Sequence, residues 1–123
     1  MDKFLLTGPS KVEGKIDVSG SKNAALPILA ATLLFDKPVE LKNLPNVRDV
    51  QTMLALLKSL GSKIVISRNK KSVKIYNFKK MKTFASYNLV KTMRAGILVL
   101  GPMLAKYGNA KVSTPGGCTI GVR

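Results

Sequence analysis

The chain predicts an α/β fold built from repeated strand-and-helix units. Three observations carry that prediction. Residues 47–60 hold the cleanest helical period, with Val47, Val50, Met53, Leu54, Leu57 and Leu60 on one face. Short apolar runs bounded by Gly, Pro, Ser and Asn read as strands on either side of it. A helix, a short turn, a strand and a proline recur in that order, first over 24–45 and again over 88–115.

The elements follow in chain order. Residues 4–7 and 15–18 read as two short strands, with Gly8-Pro9-Ser10 as the break between them. Residues 24–35 form an apolar helix with Lys22-Asn23 at its mouth. Pro27 fits because it falls in about the first turn, where a missing N–H costs little. Residues 39–44 make a strand. Asn46 is placed to cap the next helix, with Asp49 in its first turn and Gly61 as its stop. Residues 63–67 and 72–76 read as a hairpin across Arg68-Asn69-Lys70-Lys71. A third helix runs over 88–106, kinked at Gly101-Pro102 and ended by Gly108. Residues 110–113 form the strand that feeds a glycine loop.

Length and composition suit one domain with one core: 123 residues, 46% hydrophobic and 22% charged. One cysteine excludes an internal disulfide and suits a reducing compartment, so a cytoplasmic location is expected. The N-terminus does not read as a signal peptide, and the longest apolar stretch is too short to span a bilayer. The formal charge is +15 and uneven. Residues 41–123 carry sixteen basic residues and a single acid, Asp49. Such a balance points to an anionic partner: nucleic acid, an anionic membrane surface or phosphorylated small molecules. The lysines at 70, 71, 79, 80 and 82 sit in turns, where a charge run is ordinary solvated surface. The chain has no histidine, so it holds no Cys-His or Ser-His pair.

The chemistry concentrates in Pro115-Gly116-Gly117-Cys118-Thr119-Ile120-Gly121. Glycines free this backbone to approach a ligand closely, and the only thiol lies among them. A lone cysteine is ordinarily a small buried hydrophobe, and that reading stands beside the functional one. Arg123 follows five residues later. Lys22 and Asn23 stand at a helix N-terminus, where free N–H groups and the dipole favour anions. Arg94 lies in Lys91-Thr92-Met93-Arg94-Ala95 on the third helix. Singly, each cation reads as solvated surface. Together they suggest a phosphate-binding pocket with a reactive or proton-donating thiol, since cations favour the thiolate.

The segments Gly20-Ser21-Lys22-Asn23-Ala24-Ala25-Leu26-Pro27, Lys91-Thr92-Met93-Arg94-Ala95 and the cysteine loop closely resemble the enolpyruvyl transferases, and among them the amino-sugar enzymes. The resemblance runs over the whole chain in order. It implies the inside-out α/β barrel fold of that family, truncated. It implies transfer of enolpyruvate from phosphoenolpyruvate to the 3′-hydroxyl of UDP-N-acetylglucosamine, the step that opens peptidoglycan synthesis, without a cofactor or metal. By the same resemblance Cys118 is the proton donor and the target of the epoxide fosfomycin. Lys22 and Asn23 bind phosphoenolpyruvate, with Lys22 also catalytic. Arg94 helps hold the nucleotide sugar, and Arg123 faces the phosphate region where the uridine loop begins.

Family topology assigns residues 1–20 to strands of the other lobe, so that here they are expected to lack their sheet, and 21–123 to an incomplete first lobe. The general base and a further phosphate-binding arginine would then lie outside this chain, and the chain alone is expected to be inactive. Asn88, Gly96 and Thr114 depart from the family's usual residues and are expected to touch capping and packing more than chemistry. Two competing readings remain from the residues. One is a small basic domain that binds nucleic acid or another polyanion; against it, the seven aromatics form no stacking array. The other is a catalytically dead lobe that still binds ligand or a partner chain.

Overall fold

A computed structural model describes residues 3–9, 11–85, 87–91 and 93–113. Helix α1, Lys22–Ala31, runs directly into a 3-10 turn, Thr32–Leu34. Strand β1, Val39–Leu41, leads to helix α2, Arg48–Leu60. Strands β2, Lys63–Ile66, and β3, Val73–Tyr76, form the expected hairpin. Then come β4, Phe84–Ala85, α3, Tyr87–Val90, a 3-10 segment, Arg94–Val99, α4, Leu100–Tyr107, and β5, Lys111–Val112.

Strand β3 is the centre of an antiparallel sheet ordered β1-β3-β2. Its alternation turns Val73 and Ile75 into the core and leaves Lys74 outside. Strands β4 and β5 pair in parallel as a separate two-stranded sheet. Helix α2 is the hub, packing on α1, α3, β2 and β4. Its periodic face delivers Met53, Leu57 and Leu60 to full burial, and Leu56 extends that face around the helix. The helix stops at Gly61, whose φ of 115° is a left-handed geometry open to glycine.

A polar clasp ties the two layers together. The buried Ser62 hydroxyl donates to Asn77 Oδ1 at 2.7 Å. Asn77 Nδ2 in turn donates to the Thr32 carbonyl at 2.6 Å and, more weakly, to that of Phe35 at 3.4 Å. The end of β3 is thereby fastened to the exit of α1.

The structure corrects several expectations. Residues 4–7 and 15–18 form no strand; Phe4, Leu5, Leu6, Val12, Ile16 and Val18 are all more than 80% exposed. A strand needs a partner ladder, and no described strand pairs with these residues. Helix α1 starts at Lys22, so Pro27 is its sixth residue and falls in the second turn. Proline removes there the N–H that would bond the Asn23 carbonyl. The strand expected over 39–44 ends at Leu41, because Asn43 turns to φ 56°. Asn46 does not cap α2. Its side chain accepts from Gln51 Nε2 at 2.6 Å, and a Val47 N–H bond to the Pro45 carbonyl moves the cap to Val47.

The expected single helix over 88–106 is three pieces. Met93 is extended, and the chain folds back so that Gly96 packs on Val90; a Cβ at 96 would meet Val90 Cγ1 at 3.1 Å. That packing explains why glycine, with no side chain, stands at a position where serine would be tight. Pro102 is the third residue of α4, within the first turn, where its missing N–H disrupts little. Gly108 ends that helix at φ 74°, as the pattern predicts.

Candidate functional site

Lys22 is the first helical residue of α1, and Asn23 the second. Ser21 occupies the cap position without a side-chain capping bond, while its carbonyl accepts the Ala25 N–H at 2.9 Å. The first-turn N–H groups therefore lie beside Lys22 and Asn23, at the positive end of the helix dipole. Both side chains are exposed, as a group that must meet a ligand requires. The segment reaches this helix through Gly20. A Cβ there would run into the Asn43 carbonyl oxygen, so only glycine permits the close passage. Asn43 Nδ2 also donates to the Val18 carbonyl at 3.4 Å, fixing the approach from the other side.

Sequence reading missed one member of the constellation. Lys22 Nζ lies 3.0 Å from Asp49 Oδ2. Asp49 is the second residue of α2, where the helix N-terminus favours a carboxylate. The two residues are far apart in sequence, and only the packing of α1 on α2 brings them together. The one available signal was compositional: a single carboxylate side chain in residues 41–123.

Arg94 opens the 3-10 segment Arg94–Val99 and is exposed. That segment packs on α1, so the structure places the arginine on an element that adjoins the lysine's helix. Cys118 and Arg123 lie outside the described residues. The structure thus joins Lys22, which Asn23 follows on α1, to Asp49 on two packed helix starts. A groove of about 420 Å³ lies elsewhere, between α2 and the β2–β3 hairpin, and none of Lys22, Asn23 or Arg94 lines it. Among the described residues no cluster of His, Cys, Asp and Glu has the makings of a metal site. No helix there is long and apolar enough to cross a membrane.

Comparison with known proteins decides the family. Residues 6–123 match the model of EPSP synthase (3-phosphoshikimate 1-carboxyvinyltransferase). The chain belongs to this family. Similar proteins include the UDP-N-acetylglucosamine 1-carboxyvinyltransferases of Pelagibacter ubique, 63% identical, and of Acinetobacter baylyi, 55% identical, in each case over all 123 residues. The corresponding protein of Coxiella burnetii is 51% identical over the same span. The chain spans 29% of the length of the first two relatives and 28% of the third. Among solved structures, the enolpyruvyl transferase NikO from Streptomyces tendae superimposes with a TM-score of 0.63. It covers 84% of this chain and 24% of its own at 16% identity, a likeness of fold. The family fold therefore accounts for the α/β units read from the sequence.

Proposed function

We propose that this chain is the N-terminal segment of a transferase that moves enolpyruvate from phosphoenolpyruvate to the 3′-hydroxyl of UDP-N-acetylglucosamine. The observation that carries the reading is 63% identity across every residue of the chain to a protein of that name. In this reading Lys22 and Asn23 bind the phosphoenolpyruvate phosphate and carboxylate at the start of α1. Lys22 supplies a mobile ammonium, and the first-turn N–H groups add fixed partial charges.

The chemistry is addition followed by elimination. The sugar oxygen bonds to C2 of phosphoenolpyruvate as a proton is delivered to C3, giving a tetrahedral intermediate. Loss of a C3 proton then expels phosphate and restores the double bond. Cys118 is proposed as the donor to C3, with Arg94 and Arg123 holding the anionic groups of the two substrates. Adjacent cations keep the negative charge of the reacting phosphate stabilised, an effect commonly worth several kcal/mol in the transition state. On the family resemblance the general base lies outside residues 1–123, and the 123-residue chain alone is proposed to be inactive. The location proposed is the cytoplasm, a reducing compartment that suits a chain with one cysteine and no internal disulfide.

The +15 charge favours one competing reading, a polyanion-binding domain. Calorimetric titration separates the two. Saturable binding of UDP-N-acetylglucosamine, indifferent to competing DNA, supports the transferase. DNA binding that falls steeply with salt, without sugar-nucleotide binding, supports the alternative and overturns the proposal.

A further inference from the structure

We propose that Asp49 is a positioning residue for Lys22: its carboxylate, fixed at the start of α2, holds the lysine ammonium at the start of α1 ready for an anion. The inference rests on the reading of Lys22 as a phosphoenolpyruvate ligand. Three observations support it. The Lys22 Nζ to Asp49 Oδ2 separation is 3.0 Å, a direct charge-assisted contact between two different helices. Asp49 is the only carboxylate side chain in residues 41–123, amid sixteen basic residues, yet it meets a lysine from outside that stretch. Its own place is determined independently of the lysine, because it sits in the first turn of α2, whose apolar face is buried along its length.

Two opposing effects make the claim testable by sign. A free lysine side chain samples many rotamers, and binding an anion freezes them. A carboxylate that already holds the ammonium removes part of that ordering cost, because two of the three ammonium protons stay available after one is donated. The same carboxylate also repels an incoming phosphate. If Asp49 only neutralises charge, removing it tightens anion binding. If it positions Lys22, removing it weakens binding.

The experiment is a titration of the 123-residue chain, isotopically labelled at lysine side chains and backbone amides, with phosphoenolpyruvate followed by NMR. The expected result is a saturable response at Lys22 and at the first-turn amides of α1, abolished there by Lys22→Ala. Asp49→Ala weakens the apparent affinity roughly fivefold, about 1 kcal/mol, the order of one immobilised side chain. Asp49→Asn keeps size and an acceptor oxygen and lies closer to wild type than Asp49→Ala; Asp49→Glu recovers part of the loss. A purely structural role moves all three variants together with their melting temperature, and that result overturns the proposal. Unchanged or tighter binding in Asp49→Ala and Asp49→Asn, with Lys22 still responding, overturns it alone. A Lys22 signal that ignores phosphoenolpyruvate in the wild-type chain overturns the parent reading of Lys22, and this inference with it.

Discussion

Removing the Asn77 side chain tests how the helical layer is fastened to the sheet. In Asn77→Ala the Thr32 carbonyl loses a 2.6 Å donor and the Ser62 hydroxyl loses a 2.7 Å acceptor. Each neutral bond is worth about 1 kcal/mol net, and a buried polar group left without a partner adds roughly 1–3 kcal/mol. Ser62 is 3% exposed and Thr32 2%, which favours the full penalty. Asn77 itself is only partly buried, so water reaches some of the vacated space and offsets part of it. The expected loss is therefore about 2–3 kcal/mol, or roughly 6–12 °C in melting temperature for a domain of this size. Urea unfolding followed by circular dichroism measures it, with the slope on urea unchanged. Ser62→Ala costs less on its own, and the double variant loses less than the sum, with a coupling of about 1 kcal/mol. A loss under about 0.5 kcal/mol, or strictly additive effects, refutes the clasp as a source of stability.

Gly20→Ala pushes a Cβ into the Asn43 carbonyl oxygen and destabilises the chain by about 1–3 kcal/mol, whereas Gly101→Ala, in open space on a helix, is neutral or stabilising by up to about 1 kcal/mol; thermal melts of both check the contrast. Asp36 accepts from Lys106 Nζ at 2.8 Å, and that hydrogen bond, followed by the charge itself, holds its carboxyl below the ordinary 3.8. A depressed carboxyl stabilises the fold above its unfolded value and loses that effect as pH falls through the folded one. Asp36→Asn therefore melts slightly lower than wild type near neutral pH, and the gap closes below about pH 3.8; a gap independent of pH counts against the pairing. In the complete protein, if it is the proposed transferase, fosfomycin is expected to attach to Cys118, Cys118→Ser to take no label, and Cys118→Asp to resist the epoxide while keeping some turnover. Mass spectrometry with and without the sugar nucleotide reads this, and an unlabelled wild-type Cys118 in both conditions returns it to a small buried side chain.

Helix α2 was legible because its burial is one-sided along most of its length, so the apolar period survives in the sequence. Gly61 and Gly108 were legible as stops because the left-handed geometry they adopt is available chiefly to glycine. The β2–β3 hairpin was visible from two short apolar runs around a polar turn, where Lys70 takes φ 56°. Residues 4–7 and 15–18 carry strand-like alternation, but pattern alone supplies no partner ladder. The break before Arg94 depends on Gly96 meeting Val90, a contact set by tertiary packing. Strand β4 is two residues long, too short to leave a period.

The candidate site divides in the same way. Lys22, Asn23 and Arg94 stood out through local motifs and helix-end positions, and the structure places all three on exposed helix starts or beside them. Asp49 escaped notice as a site residue because its relation to Lys22 exists only once α1 packs on α2. Asn46 was read as a cap because asparagine suits that place, yet Gln51 competes for the same side-chain oxygen.

Grafting residues 1–123 onto the remainder of the Pelagibacter ubique relative, 63% identical over this segment, tests the central proposal most directly. The measurement is phosphate release from phosphoenolpyruvate with and without UDP-N-acetylglucosamine. The account predicts release that depends on the sugar nucleotide and falls by about two orders of magnitude or more in the Lys22→Ala graft, on the scale of losing one preorganised charge contact. A folded graft that releases no phosphate, or one whose activity is indifferent to Lys22, contradicts the assignment of this chain's α1 start to the phosphoenolpyruvate site.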